Sequence, residues 1–419
     1  MVKFLFIIFC TVLCTIISGC ARQQQENKNL ANLLHNKTPQ YVLQKLQASK
    51  PAERDQAQFH LNIGFLQLMS GDFQGAIETF SLAKREMAAL AASSVSENVG
   101  AGTLNETVRS YSGYPTDRVM VHNMLALSYL FNNDIYGARV EMLQADIAMK
   151  KLANRDSLSG QLASTHLLGG IIYELLNEQS NALISYRDAA GIIEQRGLPL
   201  PVGLQQALLR ISFKLGATDQ YATYKKQFPS LPAPTTNSNK TQVFAFYFDG
   251  VVSQKKQNSI VVPNHDFSQL IRISVPAYPP INAQMGRAKI TLQGEQLTSE
   301  LVENVDLLVR EDLSKEYPSI LLLTTTRAIA KYQLVKKAEQ QDSLFGALVN
   351  IATLLTEVAD LRSWNMLPGN IQFAYIETAE NEVVINSPHS LSQKIKIESG
   401  SENVLLINGL SNEVFHYQQ

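Results

Sequence analysis

Three stretches in the first half of the chain follow one template, and this repetition restricts the possible folds more than any other feature. They read HLNIGFLQLMSGDFQGAIETFSLA (60–83), HNMLALSYLFNNDIYGARVEMLQA (122–145) and HLLGGIIYELLNEQSNALISYRDA (166–189). Each has a small residue near its start, an alanine twelve positions later, a bulky residue four beyond and a closing alanine. Small residues allow two helices to approach closely, and the bulky residue fills the space beside them. The template therefore predicts packed pairs of helices.

This template resembles the tetratricopeptide repeat, in which W-x₂-L-G-x₂-Y precedes A-x₃-F. It departs from that pattern because histidine replaces tryptophan in all three stretches, and Gln67 stands where the tyrosine belongs. The alanines at 76, 138 and 182 are 62 and 44 residues apart, against 34 in an uninterrupted array, so insertions are expected. The residues predicted to pack between helices are Gly64, Ala76, Phe80, Ala83, Ala126, Tyr129, Ala138, Ala145, Gly170, Tyr173, Ala182, Tyr186 and Ala189.

Further helices are predicted at both ends of this array, over 38–47 and 204–216. Such helices would cap a solenoid whose groove holds peptides or partner proteins. The insertion at 91–119 is rich in Ser, Gly and Asn, and we interpret it as a surface loop or as a segment whose end, 111–114, lines the groove. The three recurrent histidines are interpreted as packing residues, because one position in successive repeats spreads them along the stack.

The start of the chain contains all three cysteines, at positions 10, 14 and 20. A lysine precedes the apolar run 4–17, which has the length of a signal-peptide core and is too short to span a bilayer. Ile17-Ser18-Gly19-Cys20 resembles the bacterial lipobox, and this resemblance implies cleavage before Cys20 and acylation of that residue. Ala21, in place of aspartate, favours the outer membrane, with the protein facing the periplasm. The alternatives are an uncleaved anchor and an ordinary signal peptide.

The charges of the chain nearly cancel, with 36 Lys and Arg against 37 Asp and Glu. A balanced chain has no long-range field to attract nucleic acid or anionic lipid, so the lipid is the only expected membrane attachment. A Pro-, Ser- and Asn-rich stretch divides the remaining chain. The predicted organisation is a signal peptide (1–19), a lipid-attached tether (20–30), a helical-repeat domain (31–227), a linker (228–240) and an α+β domain (241–419).

In the second half the helical periodicity ends, and runs of aromatic and β-branched residues broken by turn signals replace it. TQVFAFYFDGVV, SIVVP, LIRISVPAYPP and AKITLQG read as strands, and NIQFAYIE, EVVIN, QKIKIES, ENVLLIN and EVFHYQ read as later strands. Between them, three helices are predicted over 298–317, 318–341 and 343–361. The expected fold is therefore an α-helical solenoid of the tetratricopeptide type followed by an α+β domain of strands, three helices and strands.

Four charged residues accompany the otherwise apolar helices of this second domain: Arg327, Lys331, Asp360 and Arg362, with Trp364 nearby. Arg327 and Lys331 are four positions apart and share one helix face. Asp360 is expected to pair with either of them. Two interpretations remain open, a buried ion-pair network that orients the helices and a pocket that binds an anion.

Several segments resemble an uncharacterised family of proteobacterial lipoproteins with tetratricopeptide repeats. They are the lipobox, ALSYLFNNDIYGARVEM, FYFDGVVSQKK, RAIAKY and ADLRSWNMLPGNIQFAYIE, and the last is the most specific. Members of that family tend to be encoded beside lipoproteins similar to activators of penicillin-binding proteins. The resemblance implies work in the cell envelope and supplies no catalytic residues.

Motifs for common catalytic sites do not occur in the sequence: it contains no phosphate-binding Walker loop, no HExxH zinc helix and no GxSxG elbow. We therefore expect a scaffold, not an enzyme, which binds other envelope proteins or peptides and uses no cofactor or metal. The alternative is an envelope enzyme or ligand carrier that acts on peptidoglycan, glycan or lipid through its second domain. The sequence leaves the oligomeric state open.

Overall fold

A helical part followed by a sheet-containing part makes up the chain. The computed structural model describes residues 28–91, 107, 109–154, 157–234, 240–265, 268–281, 285–292, 295–388, 390–411 and 413–419. Cys20 and the lipobox lie outside these ranges. Residues 28–33 are helical, so the predicted tether is shortened at its end. Within the described ranges, every helix is too short or too polar to cross a membrane.

The helical part consists mainly of antiparallel pairs. Its helices are α1 (Pro39–Gln47), α2 (Gln56–Met69), α3 (Phe73–Ala91), α4 (Pro115–Phe131), α5 (Ile135–Leu152), α6 (Ala163–Leu175), α7 (Gln179–Gln195), α8 (Val202–Lys214) and α9 (Thr218–Gln227). The template corresponds to the pairs α2/α3, α4/α5 and α6/α7, and a fourth pair, α8/α9, follows. Thr38 caps α1 as its sequence suggests, since its hydroxyl accepts a hydrogen bond from the N–H of Tyr41.

The turn inside each templated pair has the same construction. One residue adopts a left-handed backbone conformation at the same template position in every pair: Gly71 (φ 79°), Asn133 (φ 60°) and Asn177 (φ 57°). Glycine and asparagine tolerate this conformation better than other residues do. In the first two pairs an aspartate follows, Asp72 or Asp134, and its carboxylate accepts the N–H three residues on. The template therefore encodes the turn as well as the packing.

The small template residues lie where two helices come closest. A Cβ atom added to Gly64 would lie 2.6 Å from the ring of Phe80, and one added to Gly170 would overlap the ring of Tyr186. The remaining template residues also lie between helices, and Tyr129 among them is half-buried. The others are buried: Ala76, Ala83, Ala126, Ala138, Ala145, Tyr173, Ala182 and Ala189. Small side chains here set the distance between paired helices.

Two sheets and a hairpin form the second part. The strands are β1 (Thr241–Asp249), β2 (Lys256–Pro263), β3 (Leu270–Ala277), β4 (Lys289–Leu292), β5 (Glu295–Thr298), β6 (Glu300–Asn304), β7 (Asn370–Thr378), β8 (Glu382–Ser387), β9 (Ser390–Lys396), β10 (Glu402–Asn408) and β11 (Val414–Gln418). The larger sheet has the order β11-β10-β1-β7-β6, with β1 and β10 parallel. The smaller has the order β5-β4-β8-β9, and β2 pairs with β3.

The larger sheet is the middle layer of three. Alternate residues of β1, such as Phe244 and Phe246, join the core of the helical part, while Val243 and Ala245 pack towards the smaller sheet. A strand that is buried on both faces reads as a continuous apolar run, which is the pattern of VFAFYF in β1. Helices, larger sheet and smaller sheet are thus stacked in that order.

Contacts between the two parts come mainly from the first helix of each pair. Helices α4, α6 and α8 touch β11, β6 and β7 respectively. Asn408 donates to the carbonyl of Met69 at the end of α2, and Gln419 donates to the carbonyl of Leu175 at the end of α6, each at 3.0 Å. The surface of the array that was expected to offer an open groove is therefore covered by the sheet of the same chain.

The prediction of three helices in the second part is wrong. The structure has two, α10 (Val305–Gln341) and α11 (Ser343–Thr356), and residues 300–304 form strand β6. Pro318, the predicted start of the second of these three helices, lies inside α10. Proline there removes one hydrogen bond to the carbonyl of Ser314, and both residues are exposed, so water can satisfy that carbonyl. An exposed proline is therefore compatible with one long helix.

The interface between the two parts contains a buried acid, Glu303 on β6. Its Oε2 accepts hydrogen bonds from the N–H (3.2 Å) and hydroxyl (3.4 Å) of Ser164. Arg196 lies 3.9 Å from Oε1, and in the described structure Oε1 has no hydrogen-bond partner. Burial raises the pKa of Glu303 to about 7. The folded protein therefore keeps Glu303 neutral at pH values between about 4.5 and 7, where an exposed glutamate is ionised.

This raised pKa predicts a pH-dependent stability that Glu303→Gln removes. An acid whose pKa is higher in the folded state stabilises the fold fully below about pH 4.5, and the contribution is lost as the pH rises through 7. Relative to Glu303→Gln, the wild type should lose up to about 3 kcal/mol between pH 4.5 and 8. Urea unfolding of both proteins across this range measures the difference, and parallel curves would contradict the prediction.

Candidate functional site

Two of the predicted charged residues share one buried carboxylate. Arg327 is fully buried, and its Nε and Nη2 donate to Oε1 of Glu357 at 3.3 and 3.1 Å. Lys331 donates to Oε2 of the same residue at 2.6 Å. Burial lowers the pKa of Lys331 even though Glu357 opposes the shift. These groups connect α10 to the end of α11 as an ion-pair network.

The other two predicted residues belong to a different cluster. Arg362 donates to both carboxylate oxygens of Asp360 and, through Nη1 at 2.8 Å, to Asp55 in the helical part. The expectation that Asp360 pairs with Arg327 or Lys331 is wrong. The chain leaves α11 before Asp360, so Glu357 takes the place of the predicted partner. Nothing in the sequence spacing marked Glu357, since it lies 30 positions from Arg327.

The end of the insertion, 111–114, is part of the interface between helices and sheet. Tyr111 donates to Asp117, and the hydroxyl of Tyr114 lies 2.7 Å from the ammonium nitrogen of Lys255. Burial lowers the pKa of Lys255 to about 8. Beside this cluster is a polar cavity of about 210 Å³, lined in part by Arg109, Arg118 and Glu316. Residues 111–114 are therefore packed between the helices and the sheet, whereas 92–106 of the insertion lie outside the described residues.

The histidines of the template are bonded differently in the three pairs. Nδ1 of His60 lies 2.9 Å from Glu86, and Nδ1 of His122 lies 2.7 Å from Glu141. Burial alone would raise the pKa of Glu141, but the hydrogen bonds from His122 and Lys84 hold it below its usual value. These pairs join two helices of the array. Among the described residues, no cluster of His, Cys, Asp or Glu is placed to hold a metal ion.

His166 differs because Ser185 occupies the template position that Glu141 occupies in the preceding pair. In the described structure His166 has no corresponding hydrogen bond to a carboxylate, and burial lowers its pKa. The shorter serine leaves a cavity of about 200 Å³ at this point. The third pair therefore has a depression where the second has an ion pair.

This depression lies in a groove between α5 and α7, with α6 beneath it, which we call the outer groove. The residues that define it are Leu143, Asp146, His166, Gly169, Ile184 and Asp188. One side of it continues into an exposed apolar row on α5, formed by Tyr136, Val140, Leu143 and Ile147. Spacings of four, three and four place these residues on one helix face. Ile184 is exposed on the opposite side.

The charges around the outer groove are acidic on balance. Asp146 and Asp188 are carboxylates in its wall, and among the described residues Lys150 is the only other fully charged one that lines it. Lys150 donates to Asp146 at 2.6 Å. The groove thus combines apolar sides with an acidic wall. In the sequence, the row on α5 consists of apolar residues outside the repeat template.

Comparison with known proteins leaves the family unassigned. No family model and no curated protein match the sequence. Among solved structures, apo RapI is 15% identical with a TM-score of 0.32 and matches 49% of each chain. BtubC (BKLC) from P. vanneervenii is 16% identical with a TM-score of 0.32, and the match covers 56% of this chain and 89% of that one. A Rap protein complexed with competence and sporulation factor is 14% identical with a TM-score of 0.30, covering 50% and 51%.

The match therefore spans about half the length of RapI and of the Rap protein. TM-scores of this size give no indication of function.

Proposed function

We propose that this protein is a lipid-anchored, non-enzymatic component of the bacterial outer membrane that binds another envelope protein through the outer groove. The observation that carries the proposal is the cavity of about 200 Å³ beside the exposed apolar row of α5. An exposed apolar groove with polar surroundings is a common site for protein binding. The repeat template supports a tetratricopeptide-type array whose partner-binding surface is on the outside.

The geometry and charge of the outer groove suit one kind of partner, an amphipathic helix with a basic flank. Such a helix places apolar side chains at i, i+3 or i+4, and i+7 into a groove between two helices. One large side chain would fill the cavity above His166. Lys or Arg residues beside that side chain would face Asp146 and Asp188, and complementary charge favours correct orientation.

The lipobox supports the proposed anchor at the membrane. Cleavage before Cys20 followed by acylation would attach the protein with more than one chain, which gives stable membrane binding. Mass spectrometry of the protein purified from membranes should find an acylated N-terminus at Cys20. A chain that carries Cys20→Ser and is secreted with an ordinary cleavable signal peptide in place of residues 1–19 should be found in the soluble fraction. A mature protein that begins at Met1 would contradict this part of the proposal.

Ser185→Glu should abolish partner binding without unfolding the array. The glutamate would pair with His166 as Glu141 pairs with His122 in the second pair, and it would fill the cavity. We expect binding to fall by tenfold or more. A photo-crosslinking residue at Ile184, in living cells, reports the contact, and mass spectrometry of the adduct identifies the partner segment.

Thr79→Glu is the matched control, since Thr79 occupies the same template position in the first pair. It should leave the crosslinks unchanged. The proposal fails if Ser185→Glu folds normally and crosslinks as well as the control. It also fails if the captured segment is neither helical nor basic.

A second candidate function, a ligand carrier, is favoured by the polar cavity beside Tyr111. Arg109 and Arg118 in its wall are suited to the carboxylates or phosphates of envelope glycans and lipids. Incubating the lipid-free protein with purified sacculi and measuring co-sedimentation and released fragments tests this function. Binding that Arg118→Met weakens would support a carrier, and released fragments would indicate an enzyme.

A further inference from the structure

Helix α11 carries the most exposed row of large apolar residues in the described structure. We call it the apolar stripe, and its residues are 71%, 54%, 55% and 61% exposed: Leu344, Leu348, Ile351 and Leu355. Their spacings of four, three and four are those of a coiled-coil seam. Four large exposed side chains on one face of a helix form an apolar patch, and such patches typically mark a site where another surface binds.

The opposite face of α11 is already in use. Val349 and Phe345 pack against Val335 and Ala338 of α10 in a small separate core. A Cβ atom on Gly346 would lie 2.7 Å from the Cα of Glu339, so the two helices are in close contact. α11 is therefore fixed on α10 with the apolar stripe pointing away from that core.

The composition of α11 shows which surface can cover the stripe. Ser343–Thr356 contains no charged residue, so two copies of the helix bring no like charges together. The spacing is symmetric about its centre: in an antiparallel pair, Leu344 faces Leu355 of the other copy, and Leu348 faces Ile351. A helix that binds a membrane surface usually carries Lys or Arg on its polar face, and α11 has none. The nearest charged residues before it, at positions 339 and 342, are both acidic.

We infer that the apolar stripe binds a second copy of this chain, through an antiparallel pair of α11 helices related by a two-fold axis. The contact is isologous, so it closes at two copies and does not propagate into a filament. It uses a surface distinct from the outer groove, and it stands independently of the proposed partner.

Cysteine crosslinking tests the pairing and its direction. No cysteine follows Cys20 in the sequence, so a lipid-free chain of residues 20–419 that carries Cys20→Ser, here called the Cys20→Ser chain, contains no cysteine. A mixture of Leu344→Cys and Leu355→Cys chains should form a disulfide-linked heterodimer, while each variant alone should form little. Efficient Leu344→Cys homodimers would indicate a parallel pair and overturn the inference.

Charge substitutions test the stripe without crosslinking. Sedimentation equilibrium should show a dimer for the Cys20→Ser chain, and Leu348→Glu should weaken dimerisation at least tenfold. Mixing Leu348→Glu with Ile351→Lys should restore a heterodimer, because the two new charges face each other. Leu322→Glu is the control, since Leu322 is 69% exposed on α10 and should leave the dimer intact. Circular dichroism checks that each variant is folded.

Two further results would overturn the inference. One is a Cys20→Ser chain without further substitution that stays monomeric in the same sedimentation experiment at about 100 µM. This concentration is about a hundredfold above a micromolar Kd. The other is a monomeric chain that binds phosphatidylethanolamine and phosphatidylglycerol vesicles and loses this binding on Leu348→Glu. The second result would assign the stripe to lipid.

Discussion

Arg210→Met should lower the free energy of unfolding by about 3–5 kcal/mol, because it leaves a buried carboxylate without its main partner. Arg210 donates to both oxygens of Glu174 at 2.9 and 2.8 Å. Burial alone would raise the pKa of Glu174, but Arg210 holds it below its usual value. The guanidinium also lies 4.3 Å from the ring centre of Tyr375 on the sheet. Guanidinium chloride unfolding of the lipid-free chain measures the loss.

Two further variants show whether the lost stability comes from an unpaired buried charge. Arg139→Met removes an ion pair to Glu178 of which both partners are partly exposed, and it should cost less than about 1 kcal/mol. Arg210→Met combined with Glu174→Gln should cost less than Arg210→Met alone, since no buried charge remains unpaired. Equal losses for Arg210→Met and Arg139→Met would contradict the buried pair.

Arg327→Met should destabilise the region around α11 by about 3–5 kcal/mol, since it leaves Glu357 buried with only Lys331 as partner. This region has a small core of its own, so its loss need not unfold the helical array. Hydrogen exchange measured by mass spectrometry should show faster exchange in α11 and in the second half of α10.

Lys331→Met is the matched control for Arg327→Met. Lys331 is slightly exposed, and Arg327 would still neutralise Glu357, so we expect a smaller loss. A pocket that binds an anion would give a different pattern. Arg327→Met would then leave hydrogen exchange in α11 unchanged, and the ion-pair interpretation would fail.

Packing inside the helix pairs could be predicted because its determinants are close together in the sequence. Gly64 and Phe80 are sixteen positions apart on neighbouring helices, and the same spacing separates Gly170 from Tyr186. The strands were also recognisable from their aromatic and β-branched residues. The sequence pattern does not indicate the short strands β5 and β6, and the residues of β6 lie within the predicted helix 298–317.

The covering of the array by the sheet could not be predicted from spacing. The amide of Gln58 donates to the carbonyl of Ser363 at 2.5 Å, across 305 positions. One signal was present: VFAFYF has no polar alternation, which is typical of a strand buried on both faces. Such a run indicates that one face of β1 packs on the helices and the other face on a further layer.

The candidate site was predicted only in part for the same reason. Arg327 and Lys331 are four positions apart and share a partner, which local spacing can indicate. Glu357 and the bond between Arg362 and Asp55 depend on the tertiary fold. The outer groove also depends on it, because its walls come from three helices. Pairwise spacing within one helix cannot locate such a groove.

The chain's own sheet covers the first helices of the array and leaves the outer helices accessible to partners. Single cysteines introduced into the Cys20→Ser chain measure this difference in accessibility. Ser164 on α6 is buried against Glu303, whereas Ser180 on α7 is exposed. Under native conditions, a maleimide should modify Ser164→Cys at least a hundredfold more slowly than Ser180→Cys, and the difference should disappear in urea. Equal native rates would mean that the first helices are open to solvent, and would contradict the account.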